Sequence, residues 1–101
     1  MIVYNVSIKV RIEVAAQWQD WMTLHHLPAV MASGCFEDHR FYKLCEQDDP
    51  DALTFVVQYY CQNMENYSTY RTTFAPALQA QTNELFKDQF LAFRTLMEDV
   101  R

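Results

Sequence analysis

The sequence predicts an α+β fold of ferredoxin-like βαββαβ order: a four-stranded antiparallel sheet with two helices on one face, read as one domain over residues 1–101. Three observations carry this. Ile2, Tyr4, Val6, Ile8, Val10, Ile12 and Val14 hold every even position at the start of the chain. After Ala15 the apolar spacing turns helical, and extended and helical patterns alternate from there to the end. One glycine and three prolines leave room for long regular elements joined by short turns.

In the first segment Asn5, Ser7, Lys9, Arg11 and Glu13 fill the gaps between the apolar residues, which is the period of a strand with one face on a core. Trp18, Trp21, Met22, His25, Ala29 and Ala32 then share one helical stripe that runs to Gly34, a natural left-handed cap. Cys35 to Gln47 returns to extended character, and the run QDDPDA places Pro50 at the second position of a type I turn. Leu53, Phe55, Val57 and Tyr59 alternate beyond it, so residues 35–61 read as a β-hairpin. Asn63 is placed to cap a second helix, in which Tyr67, Tyr70, Phe74, Leu78 and Leu85 recur and Pro76 marks a kink. FLAFRTLM, residues 90–97, reads as the last strand.

Two helices cover only one face of such a sheet. The other face is expected to carry Val3, Asn5, Ser7 and Lys9 from the first strand and Thr54, Val56, Gln58 and Tyr60 from the third. In the last strand either Ala92, Arg94 and Leu96 or Phe93, Thr95 and Met97 turn to the helices. The aromatic set is favoured inward, which sets Arg94 on the open face beside Asn5 and Gln58. That face is half apolar, the character of an interface, and two sheets packed face to face would make a homodimer enclosing a small polar-lined cavity.

Composition excludes several functions. A net charge of −5 with scattered basic residues argues against nucleic acid, whose phosphate backbone is bound by clustered Lys and Arg. No stretch approaches the length of a membrane span, and the alternating start lacks the apolar core of a signal peptide. Three cysteines without CxxC spacing signal neither a disulfide framework nor a zinc site, and suit buried thiols in a reducing cytoplasm. The lone glycine cannot make a phosphate-cradling loop, and no nucleophile–base motif appears, so no cofactor is expected.

The opening MIVYNV, the run WQDWM–HLP–V, GCF at 34–36, VQY at 57–59, FAPAL at 74–78 and the closing AFRTLMEDV spread over nearly the whole chain. In these pieces the chain resembles an uncharacterised bacterial family, domain of unknown function 4286, of the dimeric α+β barrel superfamily. That superfamily includes cofactor-free monooxygenase-like enzymes, lactone isomerases, haem-handling proteins and non-catalytic ligand binders, so fold does not select among them. The resemblance implies a homodimer with a cavity between sheet and helices or between the two sheets. It also implies that His26, two residues before Pro28, lies near the mouth of that cavity.

The candidate site residues follow. His26 is the candidate general base or hydrogen-bond partner. The helical wheel instead puts His25 in the apolar stripe, although Pro28 disturbs the wheel from Leu24 onward. Backbone groups freed by the proline, satisfied by one ring, would also explain the pair. As metal ligands they are poor, because neighbouring helical residues diverge by about 100°. Arg94 is the candidate anion anchor, with an ion pair as its plain alternative. Asn5, Gln58 and Tyr60 are candidate hydrogen-bonding groups, and Trp18 and Trp21 candidate apolar walls that equally suit a core. His39 reads as a solvated strand position, and Glu46, Asp48, Asp49 and Asp51 as a solubilising turn. Two functions remain: a dimeric barrel binding an aromatic or carboxylate-bearing small molecule, with or without monooxygenase-like or isomerase-like chemistry, and a non-catalytic dimeric interaction module.

Overall fold

The structure, a computed structural model, describes residues 1–100; Arg101 lies outside the described residues. The chain runs β1 (Ile2–Arg11), α1 (Ile12–Trp21), a π turn (Met22–His26), α2 (Leu27–Ala32), β2 (Asp38–Lys43), β3 (Ala52–Cys61), α3 (Met64–Thr69), a second π turn (Tyr70–Phe74), α4 (Ala75–Phe86) and β4 (Phe90–Glu98). Each π turn joins its two flanking helices into one rod, so the order is βαββαβ. The four strands form one antiparallel sheet in the order β2-β3-β1-β4.

Alternation builds the core as expected: Ile2, Tyr4, Val6, Ile8 and Val10 are buried under the helices, and Phe55, Val57 and Tyr59 lie beside them on β3. Trp18 closes this layer at 1% exposure, its ring 4.9 Å from Phe55 and 5.9 Å from Phe41. The strand ends sooner than its pattern suggests. Ile12 is already helical and exposed, because its N–H finds the Asp51 carbonyl at 2.9 Å and so needs no side-chain cap. The hairpin strand β2 likewise starts at Asp38 rather than Cys35. Asn63 caps α3 by accepting from the Asn66 N–H at 2.8 Å, and Gly34 ends α2 at φ +74°.

The helical stripe needs correction. The buried residues of the first rod are Ala15, Trp18 and Met22, then Leu27 and Val30. The step from Met22 to Leu27 is five residues, and the Leu27 N–H donates to the Met22 carbonyl, the i→i−5 bond of a π turn. One extra residue in a turn rotates everything after it by about 100°. Pro28 is the sequence cause: it offers no N–H to the Leu24 carbonyl and its ring would collide there, so a widened turn relieves both. His25 and Ala32, expected inside, are therefore exposed, while His26 is half-buried. The second rod repeats the device. The Ala75 N–H donates to the Tyr70 carbonyl, Pro76 follows two residues after Phe74, and Phe86 rather than Leu85 is buried.

β4 is also corrected. Its register pairs Val6 with Arg94 and Ile8 with Ala92, so Arg94, Ala92 and Leu96 share the helix face. Phe93, Thr95 and Met97 occupy the open face, where Phe93 is 63% exposed. At this edge strand the helix face opens onto a cleft rather than onto packed core, and a guanidinium suits a cleft better than a phenyl ring does.

Candidate functional site

α1 packs on β1 and β3, whereas α4 stands farther from the sheet. Between α4 and the β1–β4 side of the sheet this leaves a cleft of about 1170 Å³. Its inner wall is made by Tyr4, Val6 and Ile8 of β1 and by Tyr59 of β3; its far end is closed by Trp18 and Met22. Two groups of interest line it: His26 from the first π turn and Arg94 from β4. A smaller pocket of about 520 Å³ adjoins it and shares Tyr4, Tyr70, Gln79 and Arg94.

His26 is held by Trp21, whose ring centroid lies 5.1 Å away at an interplanar angle of 31°, and Trp21 in turn rests on Phe86 at 5.4 Å. Its Nδ1 is buried and has no hydrogen-bond partner. Burial, and after it the Arg94 guanidinium, lower the imidazole pKa to about 4. At neutral pH the ring is therefore uncharged and has an unused nitrogen. Among the described residues no carboxylate lies within ion-pair distance of Arg94; the ion pairs are Lys9 with Asp48 and Asp49, and Arg11 with Glu13.

Three phenols complete the wall. Burial raises the pKa of Tyr4, an effect opposed by Arg94, and burial likewise pushes Tyr59 and Tyr70 far up. All three stay protonated, and Tyr4 is hydrogen-bonded with Arg94. Tyr4 stands at the centre of an aromatic cluster, its ring 5.1 Å from Tyr67, 5.8 Å from Tyr59 and 6.1 Å from Tyr70. Chemically, the arrangement offers a neutral imidazole as proton acceptor, a fixed cation for an anion, and apolar rings between them.

The sequence-derived candidates divide accordingly. His26, Arg94 and Trp18 are brought together, and Trp21 braces His26 from behind. Asn5, Gln58 and Tyr60 are on the opposite face of the sheet, not beside Arg94 as expected; there the Tyr60 hydroxyl donates to Gln58 Oε1 at 2.8 Å. His39 is half-buried, with its Nδ1 unpartnered and its ring 6.4 Å from Tyr59, rather than solvated. Cys35 and Cys61 are buried, but Cys45 is exposed. Tyr4, Tyr59, Tyr70 and Arg71 were not singled out for the site. The available signal was tyrosine rather than phenylalanine on inward stripes, since a buried phenol needs a polar or wet neighbour.

Comparison with solved structures places the fold. An ethyl tert-butyl ether D (EthD) family protein from Bacillus halodurans superimposes with a TM-score of 0.69 at 12% identity, covering 99% of this chain and 100% of that one. SnoaB, a cofactor-independent oxygenase from Streptomyces nogalater, gives 0.63 at 10% identity, covering 99% and 94%. A dimeric ferredoxin-like protein from an uncultured marine organism gives 0.69 at 10% identity, covering 100% and 96%. At these identities the likeness concerns the fold alone, that of the dimeric α+β barrels. No curated protein sequence matches the chain. No helix among the described residues is long and apolar enough to cross a membrane. One family model spans residues 1–100, and the chain belongs to that family, the Domain of unknown function DUF4286.

Proposed function

We propose that the protein binds a small aromatic molecule bearing an acidic group in the cleft between α4 and the sheet. Arg94 holds the anion, the neutral His26 imidazole faces the body of the ligand, and Trp18 with Met22 forms the apolar end. The observation that carries this reading is that an ion-pair-free guanidinium and a neutral imidazole line one aromatic-walled cleft. The protein acts as a homodimer joined through the open sheet face, a reading supported by the exposed Leu91 and Phe93 and by the dimeric ferredoxin-like relative.

The catalytic version uses the same groups. A ligand O–H or acidic C–H next to His26 gives its proton to the imidazole, and Arg94 stabilises the resulting anion, as in an isomerisation. An anion at Arg94 also offsets the positive charge that depresses His26, making the ring a better base once the ligand is bound. The cofactor-independent oxygenase among the structural relatives supports a second outcome with dioxygen as the oxidant, in which a ligand CH2 centre loses both hydrogens, one oxygen atom enters as a carbonyl and the other leaves as water.

A thermal-shift series with benzoate and substituted benzoates tests the binding. Wild type should be stabilised as the site saturates, Arg94→Gln should lose the shift, and His26→Ala should reduce it. No shift in wild type at millimolar ligand, or an undiminished shift in Arg94→Gln, sinks the reading.

A further inference from the structure

The smaller pocket differs in character from the cleft it adjoins. The second π turn supplies Tyr70 and Arg71, α3 supplies Tyr67, α4 supplies Gln79, and β1 and β4 supply Tyr4 and Arg94. The charged residues lining it are both arginines, and no Asp or Glu lines it among the described residues. Neither guanidinium makes an ion pair with a described carboxylate. Both act electrostatically on the Tyr4 hydroxyl, to which Arg94 is also hydrogen-bonded. In a chain of net charge −5, carboxylates are plentiful, yet two unpaired cations face one pocket. Both guanidiniums are exposed, so water screens their repulsion; what marks the pocket is a local excess of positive charge that an anion would neutralise.

Charge and donor count narrow that anion. A carboxylate carries one charge and offers about four lone-pair sites on its two oxygens. Two guanidinium forks and an amide already exceed what it accepts. A phosphate monoester carries a charge of about −1.5 to −2 at neutral pH and presents three acceptor oxygens, which matches both the pair of cations and the surplus of donors.

Resting on the cleft reading above, we infer that the Arg71–Arg94 pocket binds the phosphate of an aromatic phosphate monoester whose ring extends past Arg94 into the cleft toward His26. Arg94 then serves both compartments. Arg71, exposed on the π turn, is the residue that discriminates phosphate from carboxylate.

Calorimetric titration of wild type, Arg71→Gln, Arg71→Lys and Arg94→Gln with phenyl phosphate, benzoate and inorganic phosphate tests this. Wild type should bind phenyl phosphate about tenfold more tightly than benzoate, and more tightly than inorganic phosphate, which lacks the ring. Arg71→Gln should bring phenyl phosphate to parity with benzoate and leave benzoate unchanged, with unaltered ligand-free melting as the folding control. Arg71→Lys should keep part of the preference, as it retains the charge and loses the fork. Arg94→Gln should weaken both organic ligands. Parity of the two in wild type, a preference that survives Arg71→Gln, or inorganic phosphate binding as tightly as phenyl phosphate would overturn the phosphate assignment. In those cases benzoate binding lost in Arg94→Gln would leave the cleft reading standing. Failure of phenyl phosphate and benzoate alike to bind wild type removes both.

Discussion

His26 illustrates how one residue's setting becomes a property that can be measured. Its pKa is near 4 in the fold, through burial first and Arg94 second, against an ordinary value of 6.5. Between those values the unfolded chain binds a proton that the folded chain does not. Stability is therefore intact above pH 6.5, falls as the pH drops toward 4, and loses no more to this group below that. The loss approaches about 3 kcal/mol at the low end. His26→Phe removes the titration, so urea melts of the variant over this range should show a flatter profile than wild type; coincident slopes would contradict it. The family resemblance made His26 a candidate through the proline two residues on, but its burial was not legible, since the wheel pointed to His25. Gly34 was legible because a lone glycine after a helical stripe has few other uses. Asp88, also at positive φ (63°), was not, because aspartate is common in every kind of turn.

At the scale of the element, the π turns decide which face each rod buries. Leu27 at 4% exposure should then matter more to stability than its neighbour His25. Leu27→Ala is expected to cost about 2–3 kcal/mol by removing a buried side chain, while His25→Ala changes stability by less than about 0.5 kcal/mol. Equal costs in chemical denaturation would mean an uninterrupted α-helical register. Both prolines were visible in the sequence and a kink was expected at Pro76. What they did to the register was not, since a proline can be accommodated by a bend, a break or an inserted residue. The two faces of β4 were ambiguous for another reason. FLAFRTLM is apolar on both, so alternation cannot say which face meets the helices; the pairing of Val6 with Arg94 does.

For the whole molecule the open sheet face is the main unspent surface. Leu91 and Phe93, at 62% and 63% exposure, flank the half-buried Val3, Val56 and Tyr60. Light scattering at micromolar concentration should give twice the chain mass of 12.0 kDa, and Phe93→Asp should return the single-chain value while melting cooperatively. A wild-type monomer would refute the sheet-to-sheet association. The fold was readable from strand alternation together with helical spacing, and alternation placed the β1 and β3 parts of the open face, whereas its β4 part came out reversed. The cleft was not readable, because it arises from how far α4 stands from the sheet, and no local pattern encodes that spacing.

The paired π turns also govern how the molecule yields. Each rod is two shorter helices in series, and at the joint a proline has deleted one link of the ladder. Compliance should concentrate there, on the two supports that carry His26 and Arg71, while β1, flanked on both edges by β3 and β4, stays rigid. Amide hydrogen exchange should report this ordering: the six-residue α2 and the start of α4 should exchange well before β1. Uniform protection along both rods would show the joints to be stiff. The cleft would then open by local breathing of its helical side, with the sheet acting as a fixed floor.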